Sequence, residues 1–244
     1  MAEYELRGLV PGKILKRYKR FLADVELEDG TLTTAHCTNT GAMTTCWEPG
    51  DMVLLKPSVN PARKLPFTWI ASKRVDTWVG VETGIPNRIV GEWLRNGAIA
   101  DLNGLRDIKA EVPYGRERSR IDLWGVDSDD RQVYIEVKNT TLRQGNAALF
   151  PDAVTERGAK HLRELQLMAA AGHRAAIIFF INRNDVASFA PARHIDPKYA
   201  DELDRAVAAG VMALPLLTSL SAQADVDGDW RLSWRLEGTL DWIS

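Results

Sequence analysis

Three side chains in the middle of this 244-residue chain have the types and spacing that metal-assisted hydrolysis requires. Asp122 lies in Arg120-Ile121-Asp122-Leu123-Trp124, and Glu136 and Lys138 lie in Val133-Tyr134-Ile135-Glu136-Val137-Lys138. Both segments are rich in β-branched and aromatic residues and flank a polar turn, Asp127-Ser128-Asp129-Asp130, so they read as neighbouring strands. Side chains alternate along a strand, which puts Tyr134, Glu136 and Lys138 on one face and Val133, Ile135 and Val137 on the other. Asp122 is expected beside that first face.

Phosphodiester hydrolysis needs the phosphate's charge neutralised and a water made nucleophilic near neutral pH. A hard divalent cation does both and takes oxygen ligands, typically one or two carboxylates with waters and substrate. Asp122, Glu136 and the backbone carbonyl of Val137 are the expected ligands for Mg2+ or Mn2+, with Lys138 positioning the water or stabilising charge on phosphorus. Glu92 and Glu111 are further candidate carboxylates. Arg118, Arg120, Thr140 and Arg143 are candidate contacts to nucleic-acid phosphates. Charges of alternating sign on a solvated strand face give the same pattern without chemistry. Other schemes have less support. His36, His161, His173 and His194 show no zinc-ligand spacing, and no Walker A, G-x-G-x-x-G or G-x-S-x-G motif is present.

The elements that would hold this face follow from periodicity. Ile89, Val90, Trp93 and Leu94 form an i, i+1, i+4, i+5 stripe stopped by Gly97, which predicts a helix with Glu92 at the stripe's edge. Residues 108–112, 121–126 and 133–137 read as three successive strands. Residues 158–171 predict a helix with Leu162 and Leu165 inward, and the unbroken apolar run 175–181 predicts a strand covered on both faces. A helix over 199–209 and a strand over 211–217 complete an α/β layer with a mixed sheet. Gly84-Ile85-Pro86-Asn87 reads as a break before this layer, and the boundary is expected at about residue 82, dividing the chain into 1–82 and 83–244.

Residues 6–81 instead show five or six short strands separated by turns, the pattern of a small closed β-barrel, for which an OB fold is the economical reading. Pro11-Gly12 is expected to interrupt the first strand. Within this unit Lys16, Arg17, Tyr18, Lys19 and Arg20 could contact phosphates and stack a base. The competing reading is a solvated turn with Tyr18 and Phe21 packed inward. Asn39-Thr40-Gly41 reads as a tight loop.

Composition is that of an ordinary globular chain, with 45% hydrophobic and 26% charged residues and a net charge of −2. The acidic balance lies beyond residue 200, leaving the rest mildly basic, which permits nucleic-acid binding without demanding it. Two cysteines make no disulfide framework, and no membrane-length apolar run or leader pattern is visible, so a cytoplasmic protein without membrane association is expected.

The chain also resembles the sugar fermentation stimulation protein A family. The resemblance is carried by His36-Cys37-Thr38-Asn39-Thr40-Gly41-Ala42-Met43, Tyr134-Ile135-Glu136-Val137-Lys138-Asn139-Thr140-Thr141, Phe150-Pro151-Asp152-Ala153 and Arg157-Gly158-Ala159-Lys160-His161. It implies an N-terminal OB-like domain and a C-terminal PD-(D/E)XK nuclease-like domain, in which Asp122, Glu136 and Lys138 match the nuclease pattern and Glu92 the helix carboxylate. It further implies DNA binding linked to sugar-utilisation genes. The expected function is thus a DNA-binding protein with a Mg2+-dependent nuclease site. The alternatives are a non-catalytic DNA-binding regulator and a ligand-sensing or interaction protein. A homo-oligomer is left open.

Overall fold

The computed structural model describes residues 2–117, 119–226 and 228–243. The first unit contains β1 (Glu3–Tyr18), β2 (Leu22–Leu27), β3 (Leu32–His36), β4 (Met52–Pro57), β5 (Phe67–Arg74) and β6 (Thr77–Gly80). The ladder runs β1-β2-β3-β5-β4 and returns to β1, closing a barrel with OB topology. Ile14, Val25, Val53, Leu55, Trp69 and Val79 fill it.

The first strand differs from expectation. It is not interrupted at Pro11-Gly12. Pro11 pairs opposite Leu54 on β4, and Gly12 lets β2 approach so closely that a Cβ would stand 2.6 Å from Val25. Irregularities fall instead between Ile14 and Lys16, against β2, and between Leu6 and Leu9, where Gly8 takes φ +65°, a left-handed conformation that suits glycine. Below that bulge β1 pairs with the barrel, and above it with a strand of the second unit.

The second unit begins with α1 (Ile85–Arg95). The expected break at residues 84–87 is in fact the helix start. Pro86 lies in the first turn, where its missing N–H has no intrahelical partner to lose. Then come β7 (Arg106–Tyr114), β8 (Ser119–Val126), β9 (Gln132–Thr140), β10 (Leu142–Gln144), β11 (Ala147–Phe150), α2 (Glu156–Ala170) and β12 (Arg174–Ile181). The remainder is β13 (Ser188–Pro191), α3 (Pro197–Ala208), β14 (Met212–Ala224), β15 (Trp230–Thr239) and β16 (Asp241–Trp242).

The central sheet runs β7-β8-β9-β12-β14-β15-β1, antiparallel at both ends and parallel across β9-β12-β14. The helix, three strands, helix and strand of a PD-(D/E)XK-like core are therefore present in that order. Strand β12 shows why its sequence is unbrokenly apolar. Ala176, Ile178 and Phe180 pack with Trp93 of α1, while Ala175, Ile177 and Phe179 pack with α2 and α3 on the other face. Strands β10, β11, β13 and β16 form a small second sheet that the periodicity does not reveal. Among the described residues no helix is long and apolar enough to cross a membrane.

Candidate functional site

The hairpin of β8 and β9 positions the central residues. Its turn is held by Asp127, whose Oδ1 accepts the N–H groups of Asp129 and Arg131, both at 3.0 Å. From there the ladder pairs Val126 with Gln132 through to Leu123 with Ile135. At the next position the Asp122 side chain inserts. Its Oδ2 accepts the Val137 N–H at 2.7 Å, and its Oδ1 accepts from Asn87 Nδ2 at 2.8 Å. The first turn of α1 thus aims one acidic side chain at the edge of β9.

Strand alternation on β9 places Ile135 and Val137 in the core beneath α1. Glu136 faces α2 and is 2% exposed. Its Oε1 accepts from Lys138 Nζ at 2.6 Å and meets His161 Nδ1. Arg157, one turn earlier on α2, donates from Nε to His161 Nε2 at 3.4 Å, which assigns the ring proton to Nδ1, facing Glu136. The other carboxylate oxygen, Glu136 Oε2, is buried without a hydrogen-bond partner.

The two acids respond differently to burial. Desolvation, then repulsion from Glu136, pushes the Asp122 carboxyl up to about 6 against the opposing pull of the Val137 N–H, Lys138 and Asn87. Burial also pushes Glu136 upward, but Lys138 and His161 outweigh it and hold that carboxyl below its ordinary value. One buried and one half-buried carboxylate with one orphaned oxygen fit a hard cation, and Val137 lines the same cavity. Among the described residues no group of three or more His, Cys, Asp or Glu is gathered for a metal ion, so the candidate centre has two carboxylates.

That cavity measures about 480 Å3 and is walled by both units. Asp122, Glu136, Lys138, Asn87, His161 and Arg157 line it from the second, while Arg20, Asn39, Thr40 and Gly41 line it from the barrel. The loop over residues 39–41 is pinned by Arg17, whose Nη2 donates to the carbonyls of Asn39 and Gly41 at 2.9 and 3.0 Å. It is also held by Asp152, whose Oδ2 accepts the Met43 N–H at 3.1 Å.

Several expected residues lie elsewhere. Glu92 is exposed on α1 and does not line the cavity. Glu111 is exposed on β7 with φ 56°, a break in strand geometry, and also lies outside it. Thr140 is fully buried with its hydroxyl donating to the Lys138 carbonyl at 3.3 Å, so it presents nothing to a phosphate. Arg120 donates to the Glu111 carbonyl at 2.6 Å, away from the cavity. Arg143 lines a separate groove and pairs with Asp185 at 2.7 Å. Arg118 lies outside the described residues.

The basic run of the barrel is divided. Lys16 pairs with Asp24 at 3.2 Å, and the Tyr18 hydroxyl donates to the same carboxylate at 3.1 Å. Arg17 serves the loop. Lys19 and Phe21 are exposed, the latter against the expectation that it packs inward. Only Arg20 of this run reaches the cavity. Sequence reasoning missed His161, Asn87, Arg157 and Asp152. The available signal for the first was a histidine beside Leu162 on the buried stripe of α2, which needs a polar partner there.

Comparison with known proteins gives a consistent result. A model described as the sugar fermentation stimulation protein RE domain matches residues 84–224, and one described as the SfsA N-terminal OB domain matches residues 15–81. A sugar fermentation stimulation protein homolog of Geobacter metallireducens is 51% identical over 206 residues, covering 84% of this chain and 88% of the relative. One of Gloeobacter violaceus is 48% identical over 221 residues, covering 91% and 93%. The solved structure of Pyrococcus furiosus SfsA in complex with Ca2+ is similar over 100% of both chains, with 27% identity and a TM-score of 0.84.

Proposed function

The chain belongs to the sugar fermentation stimulation protein family, and on that premise we propose that it is a DNA-binding protein whose second domain hydrolyses phosphodiester bonds with Mg2+ or Mn2+. The working division is the one expected near residue 82, with a barrel that contacts DNA and a second domain that cuts it. The observation carrying this reading is the orphaned, buried Oε2 of Glu136 beside Asp122, in a cavity that both domains line. The Pyrococcus furiosus relative is described as a Ca2+ complex, and a carboxylate site for a hard cation is in keeping with that.

Asp122, Glu136 and the Val137 carbonyl would hold the cation. When bound, it supplies neutralisation of phosphate charge and a water of lowered pKa. The Asn87 amide and the Val137 N–H fix both oxygens of Asp122, so this carboxylate needs no reorganisation when substrate arrives. His161 and Arg157 hold Glu136 from the α2 side. Lys138 Nζ, 2.6 Å from Glu136, orients the attacking water and faces the charge that develops on the phosphate oxygens.

Plasmid and single-stranded DNA incubated with Mg2+ or Mn2+ test the reading. Cleavage is expected from the wild type and is expected to fall about 100-fold or more in Glu136→Ala and in Lys138→Ala. Equal cleavage by wild type and both variants would sink the assignment.

A further inference from the structure

The walls of the cavity are bolted to each other. The Met43 N–H reaches Asp152 across it, and the Thr83 N–H donates to Thr38 Oγ1 at 3.1 Å. Behind it, the Arg143 N–H donates to Thr45 Oγ1 at 3.1 Å, and the buried Arg183 donates to the carbonyls of Thr45 and Thr141 at 3.2 and 2.8 Å. Gly41 abuts Asp152 so closely that a Cβ would stand 2.2 Å from its Oδ1. Strand β1 runs through both domains. A hinge needs a few unpacked residues that can absorb a rotation, and this junction offers instead a hydrogen-bonded seam. The width of the cleft is therefore fixed.

At about 480 Å3 the cavity has the size of a small-molecule pocket. The carboxylates line this cavity together with groups from both domains, rather than standing on a free strand face. The wall chemistry suits one unpaired nucleotide. Leu142, Leu149 and Phe150 offer an apolar surface for a sugar or base, and Arg20 offers a cation on the opposing barrel wall. Arg20 lies in the hairpin turn between β1 and β2. Lys19 and Arg20 both take left-handed φ values, 50° and 64°, which non-glycine residues adopt rarely. Lys16 and Arg17 have protein partners, whereas among the described residues no acceptor is bonded to Arg20.

From this geometry we infer that the substrate is single-stranded DNA, or a single-stranded stretch of a longer molecule, with Arg20 on a phosphate next to the one that is cut. The inference rests on the hydrolytic reading above and names its substrate class. The barrel then acts as a gauge as well as a binding surface, since one strand passes between the domains and two do not.

The full chain is given one labelled oligonucleotide as a single strand, as a blunt duplex and as a duplex with a single-stranded tail. Cleavage is followed with Mg2+ or Mn2+, and binding by fluorescence anisotropy with Glu136→Gln protein. The single strand and the tail should be cut, and the single strand bound, at least about tenfold better than the blunt duplex. Arg20→Asn keeps a residue tolerant of left-handed φ, and should lower the slope of log K against log salt by about 0.7, the counterion release of one single-strand phosphate. Arg20→Lys should keep that slope. A blunt duplex bound or cut as well as the single strand overturns the inference, and an unchanged slope in Arg20→Asn removes Arg20 from it. If no DNA form is cut, the hydrolytic reading fails while the anisotropy preference still decides the strand class.

Discussion

In the barrel, Lys16 and Tyr18 share the Asp24 carboxylate and Arg17 serves two backbone carbonyls, so the first two of the run's four cations are answered within about 25 residues of chain. In the second domain, Glu136 is buried with one oxygen unpartnered, and Asp122 beside it is pushed up to about 6. The first region looks more like a nucleic-acid surface by composition, yet most of it is scaffold. The second is a short acidic pair, and the fold leaves it unresolved. Charges neutralised by neighbours stabilise the chain, whereas a buried charge kept short of partners is destabilising unless something outside the chain completes it.

Three substitutions can break or sharpen that contrast. The largest effect is expected for Arg17→Ala. It removes two charge-assisted hydrogen bonds at a half-buried position and should cost about 2–3 kcal/mol in denaturant unfolding while freeing the 39–41 loop. A stability unchanged from wild type would mean that this cation is surface decoration after all.

Asp122→Asn should act in the opposite direction. The carboxyl titrates at about 6 in the folded metal-free chain and near 3.8 when free, so the folded state holds this proton more tightly. Its contribution to folding is fully present below about pH 4 and is lost as the pH rises through about 6. Replacing it by the neutral amide removes the burial and repulsion penalty but leaves either the Asn87 Nδ2 or the Val137 N–H facing an NH2 group, so stability at pH 7.5 should rise by only about 0–2 kcal/mol, a gain that thermal melts should show shrinking as the pH falls toward 4. A variant less stable than wild type at pH 7.5 would show that Asp122 is structural. The smallest effect belongs to Lys16→Ala, an exposed pair partner, at about 0.5 kcal/mol or less. A larger loss would put this ion pair with the scaffold that Arg17 builds.

How far the sequence discloses the site depends on the range of the interaction. Glu136 and Lys138 are two residues apart on one strand and Asp122 is across a short turn, so alternation alone brings them together. His161 reaches Glu136 from a separate helix, and Asp152 meets the 39–43 loop across 109 residues, distances over which periodicity carries no information. Arg17 illustrates the opposite failure. Its charge is evident, but its role depends on carbonyls that any sequence would supply. The helices and the buried β12 were legible because their apolar faces are wide. The small sheet of β10, β11, β13 and β16 was not, since its strands have two to four residues. Glu92 and Glu111 could be read as acids near the right strands, but only the packing shows them turned to solvent.

The bulge at Gly8 has one more consequence. By letting a single strand change partners midway, it makes β1 one of the five strands of the barrel's closed ladder and the outermost strand of the other domain's sheet. A fragment beginning at the second domain would leave the β15 edge bare, its N–H and C=O groups open to any other chain. The two family modules can be named separately, but they share one covalent splice. Whatever loosens the barrel loosens the sheet that carries Asp122 and Glu136.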